Sequence, residues 1–277
     1  MFPVLKLKCP VCGGLLEQSD RTLRCDRGHS YDVARQGHVN LLMSNKSSAK
    51  RHGDDKLMVV ARQEFLDAGH YDCLRDGLCD LALRLCGEEV TLLDAGCGEG
   101  FDTSALRTAL EGSGRVCRAG GMDISREAVA AAARRDKQLT LAVAGINALP
   151  VPDGSIDLLL NIFAPEDETE FARVLKPGGL FMKAVPRERH LFGLKAAVYD
   201  NPYENPAPSY EPEGFEPVCA EDIDRILVLK DPKYIKALFM MTPYYYKTGK
   251  ADQEKLEKLC ELETEISFRI LVFRRKP

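Results

Sequence analysis

Three cysteines and a histidine fall within CPVCGGLLEQSDRTLRCDRGH, residues 9–29. Cys9 and Cys12 form a C-x2-C pair whose short spacer lets both sulfurs face one ion. Cys25 and His29 return after a twelve-residue gap to complete four ligands. Three thiolates and an imidazole, with no position left open, suit a structural tetrahedral Zn2+ rather than a catalytic one; the bland alternative is a set of scattered buried thiols. Pro10, Gly13, Gly14 and Gly28 supply tight turns. A segment of roughly 40 residues lacks the core to fold unaided, so the ion's binding energy would become folding energy.

A second constellation opens at VTLLDAGCGEGFDTSAL, from Val90. An apolar run ends in Asp94, and Gly96, Gly98 and Gly100 follow before helical spacing resumes. Strand, glycine turn and helix are the opening of a doubly wound α/β domain, which holds its ligand at the carboxyl end of the first strand. The glycines let backbone approach a ligand that a side chain would displace. A dinucleotide fingerprint needs a third glycine where Phe101 stands. The G-x-G-x-G turn behind an acid instead resembles motif I of the class I S-adenosylmethionine-dependent methyltransferases.

The flanking elements agree. Gly121-Met122-Asp123 reads as the end of a second strand, where an acid can bind the two ribose hydroxyls. NALPVPDGSIDLLL (147–160) resembles the methyltransferase segment that passes the adenine and enters the fourth strand, and FARVLKPGG (171–179) the helix, sharp turn and fifth strand that follow. Many of these enzymes place an acid where Gly145 stands, so adenine recognition would fall to backbone groups or Asn147.

Taken together, the cysteine-rich head, ARQGHVNLL (34–42), ARQEFLDAGHYDCLRD (61–76), the glycine turn, AVPRERHLFGLK (184–195) and ALFMMTPYYYK (237–247) closely resemble the RlmA family of 23S ribosomal RNA guanine-N1 methyltransferases. The resemblance weakens around 197–230, where five prolines between Pro202 and Pro217 point to a variable loop. It implies that the head binds zinc through Cys9, Cys12, Cys25 and His29 and helps to recognise an RNA hairpin. It also implies S-adenosyl-L-methionine contacts at Tyr71, Gly98, Glu99 and His190; Asp94 and Asp123 are added from the geometry of the fold. Without the resemblance, Tyr71 would read as a packing residue and His190 as a surface-loop histidine. Members of the family can pair, which favours a homodimer.

The expected architecture is therefore a Rossmann-like class I methyltransferase sheet (57–277) behind a small zinc-ribbon-like domain (1–43), joined by a polar linker (44–56). Residues 1–52 carry nine Lys/Arg against four Asp/Glu, leaving a net charge of −9 on the rest of a chain whose formal charge is −4. A basic head on an acidic body suits a head that meets a polyanion, with Lys46, Lys50 and Arg51 as candidate phosphate contacts, although chance asymmetry gives the same numbers. With 277 residues, 45% of them hydrophobic, the chain can bury a large core. No run approaches the roughly 18 apolar residues of a membrane span. The opening MFPVLKLKCP is too short and polar for a signal peptide, so a cytoplasmic protein is expected, and its ten cysteines read as thiols and ligands rather than disulfides.

The segment NIFAPEDE (161–168) occupies the place where this fold holds the methyl acceptor. Asn161 and the backbone near Pro165 are candidates for binding the base edge, and Glu166 or Asp167 for accepting the proton that guanine N1 must lose; both acids also fit the first turn of a helix. Leu74, Leu78, Leu81 and Leu85 recur at helical spacing and read as core. Tyr244–Tyr246 reads as strand packing, with base stacking as the alternative, and ISFRILVF (266–273) as a late strand. Two other functions remain open: the same chemistry on transfer RNA or a small molecule, and a zinc-ribbon RNA-binding module on an inactive cofactor domain.

Overall fold

The computed structural model describes residues 4–43, 53–207 and 210–277. The linker candidates Lys46, Lys50 and Arg51 lie outside the described residues. The head is a three-stranded antiparallel sheet of β1 (Glu17–Ser19), β2 (Thr22–Arg24) and β3 (Ser30–Asp32), followed by β4 (Val39–Asn40). The α/β domain then runs α1 (Lys56–Asp67), α2 (Asp72–Leu85), β5 (Glu89–Ala95), α3 (Phe101–Gly112), β6 (Val116–Asp123), α4 (Arg126–Arg135), β7 (Thr140–Val143), β8 (Ile156–Ile162), α5 (Glu168–Val174) and β9 (Leu175–Pro186). It closes with α6 (Phe192–Val198), β10 (Phe215–Leu229), α7 (Pro232–Met240), α8 (Lys250–Leu256) and β11 (Leu262–Arg275).

Eight strands form one sheet in the order β10-β11-β9-β8-β5-β6-β7-β4, with β11 antiparallel to both of its neighbours. This is the expected methyltransferase sheet, and its chain order reverses at β5. In an open α/β sheet the ligand crevice lies at such a reversal, here at the carboxyl ends of β5, β6 and β8. β5 can sit at the centre because Val90, Leu92, Leu93 and Ala95 are fully buried; a central parallel strand must be apolar on both faces. One face of the sheet packs on α2 through Leu74, Leu78 and Leu81, with Leu85 at the rim, as the spacing predicted.

The other face is covered in part by the head. Leu5, Leu7, Leu23, Val39 and Leu41 belong to the same buried cluster as Leu93, Met122 and Phe181. β4 adds a parallel edge strand to β7, pairing Val39 with Ala142 and Asn40 with Val143. The Leu5 amide donates to Thr140 Oγ1 (3.2 Å), the Lys8 amide to the Pro150 carbonyl (2.8 Å) and the Leu41 amide to the Val143 carbonyl (3.0 Å). Gly120 is needed under this contact, because a Cβ there would stand 2.7 Å from Leu5 Cδ2.

Two sequence expectations give way. Tyr244–Tyr246 lies in turns between α7 and α8 and is not a strand, since Pro243 and the cap of α7 end the regular structure there. The loop expected from the prolines at 202–217 holds among the described residues as far as Gly214, but the rest of the stretch to Leu229 is strand, because β11 offers a 14-residue edge against which β10 pairs along its length, with one bulge between Pro217 and Cys219. Among the described residues no helix is long and apolar enough to cross a membrane.

Because the head shares a core with the sheet, Leu5→Ala is expected to lower the stability of the whole chain by about 2–4 kcal/mol in a single unfolding transition. Two transitions, with only the first shifted, would show that the head folds independently.

Candidate metal and cofactor sites

The head brings Cys9, Cys12, Cys25 and His29 together, their ligand atoms all within 4.8 Å of one another. Cys12 Sγ lies 3.6 Å from Cys25 Sγ, which in turn lies 3.3 Å from His29 Nδ1. Zn–S bonds of about 2.3 Å in a tetrahedron set sulfurs about 3.8 Å apart, so the cluster has the size that zinc requires. Two knuckles hold it. The Gly13 amide returns to the Cys9 carbonyl (2.8 Å) and the Gly28 amide to the Cys25 carbonyl (3.0 Å), both glycines with positive φ. Burial disfavours the Cys9 thiolate, but hydrogen bonds from the Tyr31 hydroxyl (3.2 Å) and the backbone at Cys12 and Val11 bring its pKa down to about 6. A low thiol pKa favours the ligand form.

The glycine turn behind β5 is closed on three sides. A Cβ at Gly96 would stand 2.4 Å from Ala164 Cβ, and one at Gly100 2.9 Å from Ala132 Cβ. Gly98 N–H donates to Asp123 Oδ2 (3.0 Å), while Asp123 Oδ1 accepts from the Ser125 amide (2.8 Å). Asp94 is 2% exposed; its Oδ2 accepts from the Thr103 hydroxyl, and its Oδ1 is buried without a partner. Burial, then the charges of Asp102, Asp123 and Glu99, push Asp94 up to about 8 against the Thr103 bond, which pulls it down. Glu99 is equally buried, with Oε1 unpartnered, and burial raises its pKa as well. Asp123 is raised for the same first reason, opposed by its two backbone bonds.

Tyr71, at the start of α2, and His190, in the turn before α6, meet across Phe268. Their ring centroids lie 5.0 and 4.5 Å from that of Phe268. Burial, aided by the Lys195 charge, pushes His190 down to about 3, so the ring is neutral. Its Nδ1 accepts from the Ser267 amide (3.3 Å), which leaves the proton on Nε2. At the end of β8, Asn161 is 1% exposed. Its Nδ2 donates to the carbonyls of Ala95 (3.0 Å) and Pro165 (2.8 Å), and its Oδ1 is buried without a partner. The two neighbouring acids have separate duties. Asp167 caps α5, accepting from the Glu170 amide (3.0 Å), whereas Glu166 accepts from the Lys183 ammonium.

Comparison with known proteins bears on both sites. The family described as RlmA, N-terminal matches residues 7–50, and a methyltransferase domain matches 92–179. A Streptomyces fradiae protein named 23S rRNA (guanine(748)-N(1))-methyltransferase is 38% identical over 195 residues, covering 69% of this chain and 67% of its own. A putative 23S rRNA (guanine-N(1)-)-methyltransferase of Bacillus subtilis, YxjB, is 30% identical over 274 residues, covering 96% of this chain and 95% of its own. The chain belongs to this methyltransferase family.

The residues present fit the family's two ligands. Three thiols and an imidazole are a zinc donor set. The crevice fits S-adenosylmethionine, whose sulfonium and ammonium are cationic, because it offers side-chain-free backbone and two buried carboxylate oxygens that lack partners. Two cations beside the glycine turn and Asn161 escaped sequence reading. Arg62, in α1, pairs with Asp54 and stands 3.5 Å from where a Gly98 Cβ would be. Lys183 pairs in register with Asn161 from β9, is 7% exposed, and lies 3.5 Å from the Tyr210 ring centroid. Nothing local in the sequence marks Arg62; the one available signal for Lys183 was a charge inside the apolar run LFMKAV.

Cys12→Ser is expected to abolish stoichiometric zinc, measured by metal analysis of the purified protein. It should also lower the unfolding midpoint of the whole chain, since the head covers part of the sheet. Full zinc occupancy in the variant would remove Cys12 from the ligand set.

Proposed function

We propose that the protein transfers a methyl group from S-adenosylmethionine to N1 of a guanine in a 23S ribosomal RNA hairpin. The observation that carries this reading is an RlmA-type ribbon with a complete zinc ligand set in one chain with an intact cofactor crevice. The cofactor, when bound, supplies a methyl group already activated by the sulfonium. The protein's part is alignment of the acceptor nitrogen with methyl carbon and sulfur. Cys9, Cys12, Cys25 and His29 hold zinc. Gly96, Gly98 and Gly100 cradle the cofactor, Asp123 takes the ribose hydroxyls on its remaining lone pairs, and Asp94 and Glu99 face its cationic end. Tyr71 and the Nε2–H of His190 complete the wall.

Guanine N1 lies on the Watson–Crick edge, so the base must come from a loop or leave its helix to be methylated. Asn161 is fixed by its two backbone bonds, which leaves Oδ1 to accept from the base edge, with Pro165 beside it. N1 carries a proton that must depart. Asp167 is engaged as a cap, so Glu166, beside the Lys183 ammonium, is the acid left to accept it. A cytoplasmic enzyme acting on ribosomal RNA, as a homodimer, completes the reading.

The test is methyl transfer from labelled cofactor to unmodified 23S RNA, with the product mapped by the reverse-transcription stop that N1-methylguanine causes. One stop is expected, and the name of the Streptomyces fradiae relative makes guanine 748 the first position to inspect. Incorporation into transfer RNA alone would replace the substrate, and absence of cofactor binding would leave an RNA-binding module.

Asp94 links cofactor affinity to pH. With a pKa raised from 3.8 to about 8, it is mostly protonated at pH 7 in the free protein. A cationic ligand favours the carboxylate, so binding should release a proton at pH 7, and Asp94 should make affinity rise with pH up to about 8 and level off above it. Calorimetry in two buffers of different ionisation enthalpy reads the release, and Asp94→Asn should abolish it. Buffer-independent heats in the wild type would remove Asp94 from the site.

A further inference from the structure

Phe163 stands two residues beyond Asn161, where β8 ends, and combines two features that a purely structural aromatic seldom shows. Among the described residues it is one of three non-glycine positions with positive φ, at +53°. Its side chain is also left in the open, with the residue 48% exposed. A left-handed backbone is unfavourable for a bulky side chain, and where the surrounding fold enforces it, function is the first place to look for the reason.

The neighbouring contacts show what this conformation achieves. The chain turns sharply enough for Ala164 to settle on Gly96, the first glycine of the cofactor turn. It also sets the Phe163 ring against Phe268, with centroids 5.2 Å apart and planes tilted by 41°. Phe268 is fully buried and is held in turn by Tyr71 and His190. The Phe163 ring is therefore braced from behind by a rigid aromatic group and open in front. On the same short segment lie Asn161, with a buried acceptor oxygen that has no partner, and the Pro165 carbonyl that its amide orients. These acceptors recognise a base edge only if the ring plane is held, and none of the groups assigned to the base above supplies a planar surface for it.

We infer that Phe163 is the stacking platform for the extruded target guanine, which lies on the open side of the ring while Asn161 and Pro165 read its edge. Base-on-aromatic stacking is the usual means of holding an unpaired base. Stacking would fix the purine plane so that N1 meets the methyl group in line, which makes Phe163 a substrate-positioning residue. The inference rests on the methyl-transfer reading above.

The test compares Phe163→Leu and Phe163→Tyr on an unmodified 23S hairpin RNA. Leucine keeps apolar bulk but removes the π-face, so kcat/KM for RNA should fall about tenfold, while cofactor affinity by calorimetry stays at the wild-type value. Tyrosine should restore most of that loss. With 2-aminopurine in place of the target guanine and S-adenosylhomocysteine bound, the wild type should keep the fluorophore quenched by stacking, and Phe163→Leu should raise its emission. Wild-type kcat/KM in the leucine variant would overturn the inference, as would a loss confined to cofactor affinity, which would make Phe163 part of the cofactor wall. A wild-type protein that methylates no RNA would instead overturn the substrate reading itself, and the platform with it.

Discussion

The hydrogen bond from the Gly98 amide to the Asp123 carboxylate, 3.0 Å long, requires two strand ends to lie against each other without intervening side chains, and the crevice is built around that approach. Gly96 admits Ala164 from the segment behind β8, and Gly100 admits Ala132 from α4. Convergence of this kind desolvates whatever acids lie inside it. Asp94, Glu99 and Asp123 are all raised, with burial as the leading cause, and Asp94 also carries the charge penalty of Asp102, Asp123 and Glu99. Such a cluster is unfavourable until a cation enters. Arg62 supplies one, at the edge, but it is already tied to Asp54. A ligand bearing a sulfonium and an ammonium is the counter-charge that the remaining carboxylate oxygens fit.

The metal site serves the same sheet from the other side. An α/β sheet needs both faces covered, and here α5 covers part of one face and the head another part. Leu5 and Leu7 precede the first knuckle, and Val39 and Leu41 follow β3, so an ion held by Cys9, Cys12, Cys25 and His29 would close the loop whose two ends plug the sheet. Zinc bound there would thereby be a structural group for the sheet as well as for the ribbon. Its part would be remote from methyl transfer, since a site filled by four protein ligands has no position for substrate.

Where residue type decides geometry, the sequence was legible. The C-x2-C spacing gave the metal cluster, the glycine turn and its acid gave the first strand and crevice, and Gly121-Met122-Asp123 gave the second strand end. The elements that were misread are those set by pairing at a distance. β10 is strand because β11 offers its edge, which no local pattern around Pro217 announces. Tyr244–Tyr246 has strand-like composition, yet the end of α7 puts it in turns. Arg62 and Lys183 are hidden for a related reason. Nothing local distinguishes a cation that will be buried among acids from one that will face water, and their partners lie 8 and 17 residues away. Asp167 illustrates the converse: its cap bond is local, and the helix-terminal alternative was readable from the start.

The charges of the two halves answer opposite demands. The crevice must be acidic to hold a cationic cofactor, and an acidic crevice repels a polyanionic substrate. On the proposed substrate, the head resolves this conflict, because Arg21, Arg24 and Arg27 are exposed on a unit that the shared core holds against the sheet. Phosphates can then be gripped away from the acids, and the one nucleotide that reaches the crevice enters base first, as a neutral ring. Recognition of that ring cannot rely on charge. It has to come from an aromatic face and a few fixed acceptors, and these are the groups that the strained segment behind β8 collects at Asn161, Phe163 and Pro165.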